Sequence, residues 1–256
     1  MNIEVHRKTV FPYTPPMTKP ILVCLHGWGG SKESFTELQQ ALAGHDVEIL
    51  TPDLPGFGNE PEPPSAWSVD DYARWVETWI EKHAPGSPIQ LLGHSHGGRI
   101  AIKIATRGKL PLTHLYLCAA AGIRHPRRFR RTLGYVLAKI GRFLLSPFGN
   151  ASASRGKKFL YKIFRVHDFE IASPVLRETM INVTGEDLRP ILHTITVPTD
   201  IFWGTEDSMT PVADATIMHE AIVGSTLHFY PGVRHRVHRD RAKEIADIII
   251  ERSRIA

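Results

Sequence analysis

The sequence predicts an α/β fold: a mostly parallel sheet covered by helices, with a helical segment inserted between two of its later strands. Three observations carry this expectation. Short apolar runs such as Ile21-Leu22-Val23-Cys24-Leu25 recur without polar alternation, the pattern of strands covered on both faces. Helical periodicity fills several intervals between them. From about Gly122 to Pro190 the rhythm fails, and no buried-strand run occurs there.

Strands are expected at Ile21 to Leu25, Val47 to Leu50, Ile89 to Leu92, Leu115 to Ala119, Thr199 to Trp203 and Leu227 to Tyr230. Val69 to His83 places Tyr72, Trp75, Val76 and Trp79 on one helical face, Ala242 to Ile250 has a similar stripe, and another helix opens near Arg99. Between residues 123 and 190, helical patterns alternate with Gly, Pro and Ser clusters such as Ser146 to Asn150. There Phe129, Leu133, Val136, Leu137, Ile140 and Leu144 share a face, and Arg127, Arg128, Arg130, Arg131, Lys139 and Arg142 fill much of the rest. The expected plan is a core of residues 1–122 and 191–256 with a helical lid over 123–190.

At 256 residues, 42% hydrophobic and 22% charged, the chain is long and apolar enough for one globular domain with an insertion. No apolar run reaches the roughly 18 to 20 residues of a membrane-spanning helix. Met1 to Lys8 mix both charge signs and then meet prolines, unlike a secretory signal, so a cytoplasmic location is expected. Cys24 and Cys118 fall inside predicted buried strands and read as core residues rather than a disulfide or a metal site.

The net charge of +5 is unevenly spread. Residues 123–190 hold ten Arg and four Lys against two Asp and three Glu, a local +9, which leaves −4 for the remainder. Such a segment can be the solvated outer face of a lid, a surface that lies on anionic lipid, or a recognition surface for an acidic substrate or partner. No nucleic-acid recognition motif accompanies the charge, so no nucleic-acid partner is expected.

Gly93-His94-Ser95-His96-Gly97-Gly98 follows one strand and opens a helix. A serine on so tight a turn has a strained backbone, an exposed hydroxyl and a helix N-terminus beside it. Hydroxyl oxygen is a weak nucleophile at neutral pH, so Ser95 needs a base, and the base needs an orienting acid. His235 and Asp207 each follow a predicted buried strand, and loops at the carboxyl ends of parallel strands converge on one edge. His26-Gly27-Trp28-Gly29-Gly30 follows the first strand. The backbone N–H groups of Trp28 and His96 are the expected oxyanion donors, each worth about 3 kcal/mol of transition-state stabilisation. His26, Gly27, Gly93 and Gly97 support these turns, and His94 is expected to pack beneath the elbow. Asp53 and Glu206 are the rivals for the acid and His238 the rival for the base; Asp-Leu-Pro-Gly-Phe-Gly from Asp53 reads instead as a self-bonded turn.

Taken in order, His26 to Gly29, Asp53 to Gly58, Gly93 to Gly98, Trp203 to Asp207 and Gly232 to His235 resemble successive landmarks of the α/β-hydrolase superfamily, in particular its lid-bearing esterase-like members. The resemblance spans about Ile21 to Ile250. It implies an α/β-hydrolase fold with an eight-stranded, mostly parallel sheet, a lid after the sixth strand, and no cofactor or metal. His96 departs from the pattern, since many relatives carry Met, Phe or Leu there. The expected activity is hydrolysis of a small-molecule carboxylic ester with a small or medium acyl group. A carbon-carbon bond hydrolase, a lyase and a non-catalytic binding protein of the same fold are the alternatives, and the oligomeric state is not legible.

Overall fold

The computed structural model describes residues 20–125 and 172–254. Six strands form one parallel sheet: β1 (Ile21–Leu25), β2 (Glu48–Leu50), β3 (Ile89–His94), β4 (Leu112–Cys118), β5 (Thr199–Gly204) and β6 (Thr226–Tyr230), in the order β2-β1-β3-β4-β5-β6. The resemblance implies eight strands; the described residues contain six, and residues 1–19 lie outside them. Every residue of β1, β3 and β5 is buried, as strands covered by helices on both faces must be. β3 runs two residues past its apolar stretch because Gly93 and His94 keep pairing with Leu117 and Cys118 of β4. Cys24 and Cys118 are free and buried.

The chain enters at β1, moves out to the β2 edge, then returns to β3 on the other side of β1. The connections leaving β1 and β3 therefore diverge, which opens a crevice between those strands at their carboxyl ends. The loop after β1 and the turn after β3 flank it.

The helices follow from local chemistry. α2 (Val69–His83) starts with a capping box, in which the Ser68 hydroxyl accepts from Asp71 N–H and the Asp71 carboxylate accepts from Ser68 N–H at 2.7 Å; such a cap contributes about 1 kcal/mol. Its buried face is Val69, Tyr72, Ala73, Val76 and Ile80, while Trp75 and Trp79 lie at its margin. α3 begins at His96, not near Arg99, and runs to Arg107, because the turn at Ser95 is a single residue. Arg107 on α3 grips Glu77 of α2 through Nε at 2.7 Å. α1 (Thr36–Leu42), α5 (Val212–Ala221), the short α6 (Val237–Asp240) and α7 (Ala242–Ser253) complete the layers.

Of the expected lid, α4 (Pro174–Gly185) is described. Ser173 caps it, accepting from Leu176 N–H at 3.1 Å, and Pro174 opens its first turn. Thr179 on α4 accepts from Trp67 N–H at 3.0 Å. Arg99 donates to the Glu186 carbonyl at 2.8 Å, and Lys103 bridges Asp70 and Glu186 at 3.0 and 2.6 Å. The end of this segment is thus moored to α2 and α3. The predicted face from Phe129 to Leu144 lies outside the described residues.

Far from the carboxyl edge, Asp200 of β5 is fully buried and accepts from His114 of β4 (2.8 Å), His228 of β6 (2.7 Å) and Arg252 of α7 (3.1 Å). Burial alone would raise its carboxyl, but these three donors overcome that and hold it well below the usual carboxylate range. A carboxyl depressed in the folded state adds stability that is present above its unfolded value of about 3.9 and is lost as pH falls toward the folded value. The melting temperature is therefore expected to fall below about pH 4, and Asp200→Asn to flatten that acid limb. Calorimetric scans between about pH 3 and 7 check this; parallel acid limbs would refute it.

Candidate active site

β3 ends at His94 and α3 begins at His96, so Ser95 alone makes the turn, at φ 53° and ψ −112°. Backbone held in so sparse a region costs about 1 to 3 kcal/mol and persists where its surroundings over-determine it. Ser95 N–H donates to the Cys118 carbonyl (3.1 Å), and its own carbonyl accepts from Ala121 (2.8 Å) and Arg99 (3.2 Å). The flanking glycines permit the close approach. A Cβ on Gly93 would meet the Gly97 carbonyl oxygen, and one on Gly97 would overlap the carbonyl oxygen of Leu25. α3 therefore starts directly against the end of β1.

Asp207 and His235 meet across two adjacent loops. Glu206 N–H donates to the Val233 carbonyl at 2.9 Å, and a Cβ on Gly204 would overlap that same oxygen. His235 Nδ1 lies 2.7 Å from Asp207 Oδ2, and both residues are buried. Because the carboxylate only accepts, Nδ1 carries the proton and Nε2 is left as the acceptor of the ring. His235 Nε2 has no hydrogen-bond partner, so the bond to the Ser95 hydroxyl is not closed in this arrangement; such bonds often tighten only with substrate. Burial would raise the Asp207 carboxyl, but hydrogen bonds and charge from His235, the Thr210 hydroxyl and Met209 N–H hold it below its ordinary value.

The rivals have other work. Asp53 accepts from Lys32 N–H (2.7 Å) and Asn59 N–H (3.0 Å), closing its own turn. Glu206 is exposed and faces Arg234 at 4.0 Å. His238 is buried on α6, its ring 3.9 Å from that of His94. His94 lies beneath the elbow, where Nε2–H donates to the His235 carbonyl at 3.0 Å, and so joins the serine turn to the histidine loop. Burial depresses His94 well below the usual imidazole range and pushes His238 and His96 down to about 3. All three rings are neutral at neutral pH.

His26 accepts from Leu54 N–H at Nε2 (2.9 Å), which places its proton on Nδ1, where it donates to the Gly27 carbonyl (2.8 Å). This fixes the loop that presents Trp28. A Cβ on Gly27 would lie 3.0 Å from His94 Nδ1 and 3.3 Å from Ser95 Cβ, so that loop and the elbow are in contact. The Trp28 and His96 rings meet edge to face at 5.3 Å, and Tyr72 meets the other side of His96 at 5.0 Å. His96 N–H belongs to the first turn of α3 and has no intrahelical acceptor. The structure brings Ser95, Asp207, His235, Trp28 and His96 to one edge of the sheet, with His26, Gly27, Gly93 and Gly97 beneath them.

Sequence inspection missed Thr210. Its hydroxyl donates to Asp207 Oδ2 at 2.7 Å and lies 3.3 Å from both His235 Nδ1 and the Ala119 carbonyl. Its local signal is the Asx-type turn of Asp207-Ser208-Met209-Thr210, in which Asp207 Oδ1 accepts from Met209 N–H (2.7 Å) and Thr210 N–H (3.1 Å). Among the described residues no group of His, Cys, Asp and Glu is arranged to hold a metal ion, and no helix is long and apolar enough to cross a membrane.

The chain is similar to known proteins over most of its length. Residues 22–248 match the model of the alpha/beta hydrolase family. A pimeloyl-[acyl-carrier protein] methyl ester esterase of Shewanella sp. (strain MR-7) is 29% identical over 214 residues, which cover 75% of each chain. Lipase 3 of Moraxella sp. (strain TA144) is 22% identical over 262 residues, 94% of this chain and 79% of that one. The solved structure of an esterase from Exiguobacterium antarcticum superposes with a TM-score of 0.70 at 22% identity, covering 93% of this chain and 92% of that chain.

Proposed function

Because the chain belongs to the alpha/beta hydrolase family, we propose that it hydrolyses carboxylic esters of small or medium acyl groups through a serine nucleophile and an acyl-enzyme. The observation that carries this reading is the Asp207–His235 pair, its Nε2 unpartnered, beside a serine held at positive φ on a strand-to-helix turn. His235 Nε2 takes the Ser95 proton as Oγ attacks the ester carbonyl, and the resulting oxyanion is held by Trp28 and His96 N–H. Collapse expels the alcohol, which takes the proton from His235. Water, deprotonated by the same nitrogen, then releases the acid and restores Ser95. Asp207 keeps Nδ1 protonated and stabilises the imidazolium. The ester-cleaving names of the relatives support ester rather than amide chemistry.

A cytoplasmic location and a lid over residues 123–190, read from the sequence, belong to the same proposal. p-Nitrophenyl esters of graded acyl length test it: turnover is expected to be highest with short to medium chains. A folded protein inert toward every ester would remove the esterase assignment and leave carbon-carbon bond hydrolysis, lyase chemistry or a non-catalytic role.

A further inference from the structure

We infer that Thr210 is a positioning residue: its hydroxyl sets the plane of the Asp207 carboxylate against His235. The inference rests on the serine mechanism proposed above. Asp207 Oδ1 is anchored by the N–H groups of Met209 (2.7 Å) and Thr210 (3.1 Å). Those bonds leave Oδ2 free to swing, and Oδ2 is the oxygen that must receive His235 Nδ1–H. The Thr210 hydroxyl closes that freedom with a 2.7 Å bond to Oδ2. Its single proton goes there rather than to the Ala119 carbonyl at 3.3 Å, and His235 Nδ1–H likewise prefers Oδ2 at 2.7 Å to the hydroxyl at 3.3 Å. Oδ2 thus accepts two hydrogen bonds, from donor atoms that lie 3.3 Å apart.

The hydroxyl also lies 3.3 Å from the carbonyl of Ala119, at the end of the strand beside the serine turn. Ala119, at φ 45°, is with Ser95 one of the two non-glycine residues at positive φ among those described. Residues close to it hold the elbow: Cys118, just before it, accepts from Ser95 N–H, and Ala121, two residues after it, donates to the Ser95 carbonyl. Thr210 is itself fixed, being buried and accepting Trp203 Nε1–H at its carbonyl (3.1 Å). The Thr210 side chain therefore sits between the acid loop and the positive-φ turn at Ala119.

Removing the hydroxyl has a signed consequence. Asp207 loses a donor that favours its charged form, so more of its negative charge falls on His235 and protonated His235 is favoured. The other charged or titratable groups around the pair are His94 and His238 against His235, Asp214 of α5 near Asp207, and the exposed Glu206–Arg234 pair. None of them changes in the variant.

The test compares Thr210→Val with Thr210→Ser by two measurements: the pH dependence of kcat and KM for a p-nitrophenyl ester, and ring-proton NMR titration of His235. With Val, kcat is expected to fall about tenfold with KM nearly unchanged, and both the acid limb and the NMR midpoint to rise by about 0.5 pH unit. Ser is expected to restore both. A Val variant with wild-type midpoint and kcat, or a Ser variant impaired as far as Val, overturns the inference. If Val does not fold, Thr210→Ala carries the same comparison. The NMR midpoint needs no turnover, so an inert wild-type protein would sink the esterase reading while the titration still decides the role of Thr210.

Discussion

Ser95→Ala is expected to lower kcat/KM for p-nitrophenyl esters by about ten-thousandfold to a millionfold, with the melting temperature almost unchanged. The size follows from the division of labour at the site. On the proposed mechanism there is no acyl-enzyme without Oγ, and what survives is the oxyanion donors and substrate binding, typically about a thousandfold over water. Stability is expected to hold because alanine and serine meet the same steric cost at φ 53° and the three backbone hydrogen bonds around residue 95 are kept. Steady-state kinetics and labelling by a fluorophosphonate probe check it together. A mutant retaining a tenth of the activity, or still labelled, would mean that another group is the nucleophile.

The second large effect is structural. Gly97→Ala is expected to destabilise the protein by about 3 kcal/mol or more, a loss of about 6 to 12 °C in melting temperature, and to impair turnover. Inside a helix such a change ordinarily stabilises by about 0.5 to 1 kcal/mol. Here the new methyl would overlap the carbonyl oxygen of Leu25 and press on that of His26, both backbone atoms of buried residues where β1 ends, so α3 must lift from the end of β1. That movement carries His96 N–H away from Trp28. Gly185→Ala in α4 is the control: nothing lies within 4 Å of its Cβ position, and a gain of up to about 0.5 kcal/mol is expected. Thermal melts that rank the two variants the other way would contradict the close contact at Gly97.

The strands were legible because a parallel strand between two helical layers needs apolar side chains on both faces, a requirement written in consecutive residues such as Ile21 to Leu25. Ends were less legible: β3 reaches His94 because β4 continues to offer hydrogen bonds, which hydropathy does not encode. α5 had no one-sided stripe to find, and its buried Asp214 is tolerated through His125, 2.7 Å away and 89 residues earlier.

By itself the sequence determined the layered α/β architecture and the turn at Ser95, and it named the residues proposed as nucleophile, base and acid. These depend on local patterns: unbroken apolar runs, glycines around a serine, and polar residues just beyond strand ends. Only the tertiary structure decided what holds them in register. His94 reaches the His235 carbonyl across 141 positions, and Thr210 lies near the Ala119 carbonyl across 91. Neither partner is marked in its own neighbourhood, because a carbonyl oxygen belongs to every residue and becomes an acceptor for a given side chain only when the sheet carries the two together.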